Sequence, residues 1–498
     1  MTKYEEIKMS KRVIKVLKKY GPMLSGELAH IMEKEYGISN VTARQALSRA
    51  GKPVNKICTL SFEKNQKFFY LEEQYMGFQY IENLLDAIKE SSQVNWIYIC
   101  AFRAQSGYVS KYILPALVAS PVKNVKGHKL HQRVIEDLIK CNIIEEYNEE
   151  HWKLSDWIPI PSRNYPRSTG IETVKKQVLN DFMRWIRNLN FVGYGSAKII
   201  SEGAEFANFQ WGFTAPSYIQ PLYDLKEQAN GFVVADIFYG QIATVEDIQF
   251  FLGKVSIIRN FKKLQNVLPI LLIENVTPDA LQLLKENKVV TAFIKNIFDE
   301  RYTELLSEIV TIFTNASAII TQNPNKIELL FKEISKAEGR YNDIIGDMFE
   351  LIVGYYYQQI GCKYLTIGKK IQIPDIGAEN ELDILIEREG RVVVVECKAT
   401  KGAIDDKFVE KWMKKNISQI RKWLIVNYPQ VKTFEFQLWS LGGYTEKALE
   451  MLENEAQKVS KYEINYYDAT QIVEMARKNN IQIIIEMLNQ HLKPPLDY

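Results

Sequence analysis

Two apolar segments near the C-terminal end of the sequence are separated by only two residues, Glu389 and Gly390. The segments 381–388 (ELDILIER) and 391–400 (RVVVVECKAT) are rich in β-branched residues, which favour strands. A two-residue connection that ends in glycine is typical of a tight hairpin. The sequence therefore predicts two adjacent antiparallel strands, and this pairing constrains the residues around it more than any other feature.

The predicted hairpin also determines which residues lie opposite each other. If the two connecting residues form the turn, Asp383 lies opposite Glu396 and Glu381 lies opposite Lys398. Because side chains alternate between the two faces of a strand, these four ionic residues share one face. The other face then carries Leu382, Ile384, Ile386, Val393, Val395 and Cys397.

Directly opposed carboxylates repel each other unless a proton or a cation intervenes. Mg²⁺ or Mn²⁺ suits carboxylate oxygens and needs only a few protein ligands. We therefore expect Asp383 and Glu396 to bind such an ion, which would polarise a phosphodiester and activate a water molecule. Lys398 would stabilise the developing charge, and Glu350, in the preceding predicted helix 341–360, would complete the metal site. The alternative is a solvated sheet edge with surface salt bridges, although charges beside such apolar strands need a reason.

The first 75 residues predict a winged helix-turn-helix domain, with three helical segments followed by two short strands: 4–20, 24–36, 40–49, 55–62 and 67–71. Ser39 is the expected N-cap of the third helix, which would be the recognition helix and offers Arg44, Gln45 and Arg49 to base edges or phosphates. Residues 1–70 contain 14 Lys and Arg against 6 Glu and no Asp, which favours a nucleic-acid partner. Docking onto another protein is the open alternative.

Cysteine usage and hydropathy bear on the compartment. The five cysteines are scattered without a CxxC pair, which indicates a reducing compartment and argues against disulfides or structural zinc. The N-terminus lacks the apolar core of a signal peptide, and the sequence contains no run of about 18 apolar residues. We expect a cytoplasmic protein with no membrane partner.

The ordered set of motifs in the C-terminal third resembles the PD-(D/E)xK nuclease superfamily, and within it is most similar to Mrr-like restriction endonucleases. These motifs are G-x-x-F-E at 346–350, ELD at 381–383, ECK at 396–398 and the segment GGYTEKALEML at 442–452. The resemblance covers about residues 338–480 and implies that Asp383 and Glu396 are metal ligands, Lys398 the catalytic lysine and Glu350 the helix acid. The chain departs from the family pattern where Glu381-Leu382 replaces Pro-Asp before Asp383.

The middle of the chain predicts two further domains. Residues 76–165 resemble a weaker second winged helix, with a helix at 129–141 and the two strands of a wing at 143–147 and 151–154, and a proline-rich linker follows at 159–169. In residues 166–330, helices alternate with strands, and the segment 231–239 (GFVVADIFY) parallels 391–400. Asp236 falls at the position of Glu396, and Phe238 replaces Lys398. We interpret this region as a degenerate restriction-endonuclease-like domain without metal chemistry, with a convergent α/β pattern as the alternative.

The predicted fold class is therefore multidomain α/β, with N-terminal winged-helix domains at 1–75 and 76–165, the degenerate middle domain at 166–330 and the nuclease domain at 335–498. The predicted function is a Mg²⁺- or Mn²⁺-dependent DNA endonuclease acting on duplex DNA in a prokaryotic restriction or defence system. Two strand breaks need two active sites, so we expect a homodimer or an accessory subunit. The alternatives are a non-cleaving DNA-binding regulator, a structure-specific repair nuclease and an RNase.

Overall fold

The computed structural model describes residues 3–193, 195–223, 228–261, 266–335, 346–374, 379–388, 390–400 and 402–492. They form a multidomain α/β protein with several sheets, which agrees with the predicted fold class at its coarsest level. The chain divides into two compact units. The first contains Met1–Ile171 and Val178–Asp299, and the second contains Glu172–Gln177 and Glu300–Tyr498. The finer division into four domains stays a prediction.

Three helices and a three-stranded sheet form the N-terminal part of the first unit: α1 (Lys3–Tyr20), β1 (Met23–Leu24), α2 (Ser25–Tyr36), α3 (Asn40–Arg49), β2 (Val54–Ile57) and β3 (Phe68–Leu71). The strand order is β1-β3-β2, and one apolar core joins the helices to the sheet. The Ser39 hydroxyl accepts a hydrogen bond from the Thr42 N–H (3.3 Å), which confirms the predicted N-cap. The predicted strand 55–62 is too long, because the chain leaves the sheet after β2 and buries Leu60 and Phe62.

A second set of helices and strands follows in the same unit: α4 (Phe78–Ser91), α5 (Gln93–Ala104), β4 (Tyr108–Ser110), α6 (His131–Lys140), β5 (Ile144–Glu146) and β6 (His151–Leu154). Its strand order is β4-β6-β5, and both strand pairs are antiparallel. β5 and β6 occupy the positions predicted for the two strands of a wing. This part of the chain therefore has the predicted helix followed by the predicted hairpin.

The predicted linker 159–169 is wrong in its second half, because helix α7 (Tyr165–Asn188) begins inside it. Pro166 lies in the first turn of the helix, where backbone N–H groups make no hydrogen bond within the helix, so the missing N–H of proline costs nothing there. The Asn164 side chain caps the helix by accepting a hydrogen bond from the Arg167 N–H (2.8 Å). A proline-rich segment thus starts a long helix rather than joining two domains loosely.

A five-stranded sheet forms the rest of the first unit, in the order β13-β12-β11-β10-β7. Its strands are β7 (Lys198–Ile199), β10 (Phe213–Ser217), β11 (Gly231–Phe238), β12 (Val267–Ile273) and β13 (Val290–Phe293), beside a small pair, β8 (Glu205–Phe206) and β9 (Phe209–Gln210). Its helices are α8 (Gln249–Arg259), α9 (Pro278–Glu286) and α10 (Ile294–Ile297). α8 joins β11 to β12, and α9 joins β12 to β13, as parallel neighbours require.

The second unit opens with four helices: α11 (Glu300–Thr314), α12 (Ala316–Gln322), α13 (Pro324–Ser335) and α14 (Phe349–Gln359). Residues 341–345 of the predicted helix 341–360 lie outside the described residues. In the described part of the chain no single helix is both long and apolar enough to cross a membrane. The bent pair α11 and α12 meets that criterion jointly, by length and composition only.

A second five-stranded sheet follows, in the order β14-β15-β16-β17-β18. Its strands are β14 (Tyr364–Gln372), β15 (Glu379–Arg388), β16 (Arg391–Lys398), β17 (Thr433–Ser440) and β18 (Glu463–Asp468). Its helices are α15 (Asp406–Lys411), which continues through a π-helical turn (Trp412–Ile417) into α16 (Ser418–Asn427), then α17 (Glu446–Lys458), α18 (Ala469–Lys478) and α19 (Gln482–Leu492). β14 is a strand that the sequence reading missed.

The two five-stranded sheets have the same topology. In each, two antiparallel pairings are followed by two parallel pairings, so that β11 corresponds to β16 as the central strand. Both antiparallel ladders also end at the fifth residue of the central strand, with Ala235 opposite Phe213 and Val395 opposite Ile384. The order of strands and helices that the sequence repeats is therefore repeated in three dimensions.

Candidate active site

β15 and β16 pair in the predicted register. Five opposed pairs run back from the turn and end with Ile384 opposite Val395. Gly390 has a φ of +76°, a left-handed conformation that glycine adopts without strain and that tight two-residue turns require. Glu389, the other predicted turn residue, lies outside the described residues.

Burial alternates at the ends of both strands, as the register requires. Leu382 and Cys397 are buried, at 1% and 8% exposure, whereas Asp383, Glu396 and Lys398 are half-buried. The interiors of β15 and β16 are buried on both faces, so these ionic groups lie at the end of a central part of the sheet. A surface edge of solvated ion pairs does not describe this environment.

Asp383 lies one residue beyond the end of the hydrogen-bonded ladder and interacts with β16 through its side chain. The Cys397 N–H donates a hydrogen bond to Asp383 Oδ2 (2.7 Å). A carboxylate oxygen thus takes the place of a backbone carbonyl as the acceptor. This contact fixes one oxygen of Asp383 beside the strand that carries Glu396 and Lys398.

Glu396 and Lys398 form an ion pair along their own strand, with 2.8 Å between Lys398 Nζ and Glu396 Oε1. Their side chains are 17% and 31% exposed, so the pair is only partly screened by water. Lys398 Nζ also lies 5.3 Å from the ring centroid of Phe408 on α15, within range of a cation–π contact. The predicted pairing of Lys398 with Glu381 falls beyond the ladder, and the described partner of Lys398 is Glu396.

Glu350 lies in the first turn of α14 and is close enough to the strand ends to interact electrostatically with all four of their ionic groups. Burial, followed by the charge of Asp383, raises the pKa of Glu350 well above its ordinary value. The helix acid predicted from the sequence therefore lies within electrostatic range of Asp383, Glu396 and Lys398.

Burial and neighbouring negative charge disfavour the ionised forms of Asp383 and Glu350. Burial and the charge of Glu396 raise the pKa of Asp383 to about 7, although Lys398 and the Cys397 N–H oppose the shift. Burial lowers the pKa of Lys398, but Glu396 and Asp383 outweigh it and raise the pKa above its ordinary value. Lys398 is thus a fixed cation among carboxylates that need further positive charge.

The side chains have the donor chemistry of a magnesium or manganese site, since Mg²⁺ needs only one or two carboxylates and keeps several waters. Asp383 and Glu396 supply such carboxylates, and Glu350 lies nearby. Among the described residues, however, no three or more His, Cys, Asp or Glu side chains gather as a group that could hold a metal ion. The three-ligand set of Glu350, Asp383 and Glu396 stays a prediction.

The turn after β17 supports the end of β16. The Leu441 N–H donates to the Lys398 carbonyl (2.9 Å), so the backbone of Lys398 is held from the neighbouring strand. A Cβ atom on Gly442 would overlap the carbonyl oxygens of Thr400 and Gly402, so this close approach requires glycine. Gly442 belongs to the motif segment 442–452 identified from the sequence. Phe408, which contacts Lys398, was not identified from the sequence.

The predicted DNA-contacting residues lie on α3 in the first unit. Arg44, Gln45 and Arg49 are all exposed. Arg44 Nε donates to the Asn40 side chain one turn earlier (2.9 Å), which orients the guanidinium along the helix. The three side chains therefore share the solvent-facing side of α3.

Comparisons with known proteins add little to this geometry. No family model and no curated protein matches the sequence. One solved structure, a protein of unknown function named AF1548, is similar at 14% identity with a TM-score of 0.21. The match covers 28% of this chain and 64% of that protein, which is less than two thirds of its length. A likeness at this level supports no argument about fold or function.

We expect the stability of the metal-free protein to fall as the pH rises toward about 7, the raised pKa of Asp383. The folded state favours the protonated acid, so the stabilisation is complete below the unfolded value near 4 and is lost as pH passes through the folded pKa. Melting temperatures in EDTA between pH 5 and 8 should fall more steeply for the wild type than for Asp383→Asn. Added Mg²⁺ should reduce the wild-type slope, and equal slopes in both proteins would contradict this assignment.

We also expect Gly442→Ala to loosen the end of β16, because the added methyl group overlaps two backbone carbonyls that cannot both move without shifting the strand end. Hydrogen exchange at the Leu441 N–H should accelerate at least tenfold. Gly402→Ala is the matched control, since its Cβ would meet open space. Similar exchange at Leu441 in the two variants would show that Gly442 does not hold Lys398 in place.

Proposed function

We propose that the C-terminal part of this chain is a metal-dependent DNA endonuclease that hydrolyses phosphodiester bonds. The observation that carries the proposal is the grouping of Asp383, Glu396 and Lys398 at the end of an otherwise apolar central sheet, with Glu350 of α14 within range of their charges. Burying this much charge is unfavourable unless the groups are paired, hydrogen-bonded or bound to a cation, and perturbed carboxylates beside a fixed lysine are typical of catalytic sites. The ordered resemblance to Mrr-like PD-(D/E)xK nucleases supports the same conclusion.

In this proposal Asp383 and Glu396 would hold Mg²⁺ or Mn²⁺, and Glu350 would complete the site or orient a bound water. When bound, the ion would supply positive charge to the phosphodiester and acidify a water molecule. Lys398 stays protonated between Glu396 and the Phe408 ring, so it can donate hydrogen bonds to the scissile phosphate or to the attacking water. Its carbonyl is held by Leu441, which restricts where the ammonium group can reach.

Duplex DNA is the proposed substrate, and the N-terminal domains are the proposed DNA-binding modules. The three helices and paired strands of residues 3–71 suit a winged helix, in which α3 would enter the major groove. Arg44, Gln45 and Arg49 lie exposed on that helix. We place the protein in the cytoplasm, in a prokaryotic restriction or defence system, as a homodimer or with an accessory subunit.

The middle sheet is proposed to be a second copy of the nuclease fold that has lost its chemistry. Asp236 is the sixth residue of β11 and Glu396 the sixth of β16, while Phe238 stands where Lys398 does. Gly212 occupies the position of Asp383, and its N–H donates to Asp236 (2.6 Å). One carboxylate thus remains where the C-terminal sheet has two.

A lysine from a neighbouring helix neutralises that remaining carboxylate. Lys254 of α8 is fully buried and forms an ion pair with Asp236, which is 2% exposed. Its ammonium group also donates to the carbonyls of Ala116 (2.8 Å) and Gln210 (3.1 Å) and lies over the Trp211 ring. An internal cation therefore satisfies the acid, which leaves no vacancy for a metal ion at Asp236.

The nuclease proposal predicts that Lys398→Ala and Glu396→Ala abolish Mg²⁺-dependent cleavage of supercoiled plasmid, with kcat falling at least a hundredfold, because both remove charge from the reaction centre. Glu463→Gln is the matched control, since this exposed carboxylate pairs with Arg391 at the opposite end of β16. Circular dichroism should show intact folds in all three variants. Undiminished cleavage by both site variants would rule out this site.

The same assay separates the alternative functions. A non-cleaving regulator would bind DNA but yield no product and no Mn²⁺ binding sensitive to Asp383→Asn. A repair nuclease or an RNase would use the same residues, so a panel of duplex, single-stranded, junction and RNA substrates distinguishes them. A preference for RNA over duplex DNA would redirect the proposal to RNase activity.

The degenerate middle site predicts a thermodynamic cycle. Lys254→Met leaves Asp236 buried without its cation and should cost about 3–5 kcal/mol in unfolding free energy, as for other broken buried pairs. Lys254→Met combined with Asp236→Asn should recover much of this loss, since no buried charge then remains. Urea denaturation measures both effects. Asp236→Asn should leave Mn²⁺ stoichiometry unchanged, and a lost equivalent of metal would show that the middle site is a working one.

A further inference from the structure

We propose that a cavity in the first unit binds a nucleobase. The cavity has a volume of about 480 Å³ and lies between α5, the segment 159–161 and the segment 241–247. This last segment follows β11 and therefore leaves the carboxyl edge of the parallel strands, where open α/β sheets commonly bind ligands. The volume is within the range of small-molecule sites.

One wall of the cavity offers unused hydrogen-bond donors. The Arg103 guanidinium stacks on the Trp96 ring, with 4.9 Å between the guanidinium carbon and the ring centroid. Its Nη2 makes one long hydrogen bond to the Pro159 carbonyl (3.4 Å). Arg103 is half-buried, so its remaining guanidinium N–H groups are the donors that this wall can offer to a ligand that carries an acceptor.

The facing segment offers an acceptor. Asp247 Oδ2 accepts hydrogen bonds from the N–H and the hydroxyl of Thr244 (2.9 and 2.8 Å), while Oδ1 receives only a long contact from Gln241 (3.4 Å). The adjacent Glu246 is already satisfied by Lys89 (2.7 Å) and by the Trp96 N–H (3.0 Å). Asp247 Oδ1 is therefore the acceptor best able to receive a ligand's donor.

The lining also contains apolar groups. Pro159 and Pro161 contribute aliphatic rings and, as prolines, no backbone N–H donors, and Cys100 contributes a buried thiol. Burial raises the pKa of Cys100 to about 12, so this thiol carries no charge near pH 7. The lining between Arg103 and Asp247 thus favours an uncharged group with apolar faces.

This arrangement selects the class of ligand by charge. A simple anion would meet Asp247, and a simple cation would meet Arg103, so neither is favoured. A planar heterocycle with both donors and acceptors on its edge satisfies Arg103 and Asp247 together and stacks on the proline rings. Nucleobases have this chemistry, and the base could belong to a free nucleoside or to a nucleotide turned out of a DNA strand.

The inference goes beyond cleavage and does not depend on it, because the cavity lies in the first unit and can be tested without Mg²⁺. Isothermal titration of the full chain in EDTA with adenosine, guanosine, cytidine and thymidine should give saturable 1:1 binding for at least one of them. Arg103→Met and Asp247→Asn should each weaken that binding at least tenfold. Lys111→Met is the control, since Lys111 pairs with Glu146 outside the cavity.

A second arm identifies the source of the base. A duplex that contains 2-aminopurine should brighten on binding if the cavity takes a base from DNA, and Arg103→Met should remove the increase. Nucleoside binding without brightening assigns the cavity to a free nucleoside. The proposal is overturned if no nucleoside binds and no fluorescence change occurs, if glycine or inorganic phosphate binds instead, or if the cavity variants behave as the control.

Discussion

The candidate site depends on how the charges of its three carboxylates, Glu350, Asp383 and Glu396, are balanced. Asp383 and Glu396 lie on β15 and β16, whose interiors are buried on both faces. Asp383 accepts a hydrogen bond from the Cys397 N–H, and Glu396 forms an ion pair with the Lys398 ammonium group. Burial still raises the pKa of both Asp383 and Glu350, so one lysine and one N–H do not compensate the cluster fully. A divalent cation would satisfy the remaining electrostatic demand, and its binding would then be coupled to proton release from the acids.

In the middle sheet, the charge of the buried acid at the strand end is balanced in another way. At the corresponding strand end there is one acid rather than two, and the lysine comes from the following helix rather than from the strand itself. A lysine on α8 approaches Asp236 from within the protein and is enclosed by backbone carbonyls. Lys398 lies two residues from its carboxylate on the same strand and keeps 31% of its side chain exposed. The buried position of Lys254 therefore makes its ion pair inaccessible, whereas the partly exposed Lys398 could be reached by a substrate.

The hairpin could be predicted because its constraints are local: a turn of two residues determines the register, and alternation then determines the faces. Ser39 as an N-cap was predictable for the same reason. The predicted pairs of Asp383 with Glu396 and of Glu381 with Lys398 extended the ladder too far, since the Asp383 side chain takes over the hydrogen bond of the next backbone group. Local patterns do not reveal when a side chain replaces a backbone partner.

Long-range contacts explain the other omissions. β14 has little hydrophobic alternation and is recognisable as a strand only beside β15. The contact of Phe408 with Lys398 depends on where α15 packs, and that of Lys254 with Asp236 joins residues on different elements. Gly442 is conspicuous as a glycine, but its role follows from two carbonyls some forty residues earlier in the chain. In both sheets, therefore, the residues of the connection that follows the central strand determine which groups surround the acid at the end of that strand. A sequence motif on the strand alone specifies the acids, while the fold decides whether their lysine partner is fully buried, as Lys254 is, or partly exposed, as Lys398 is.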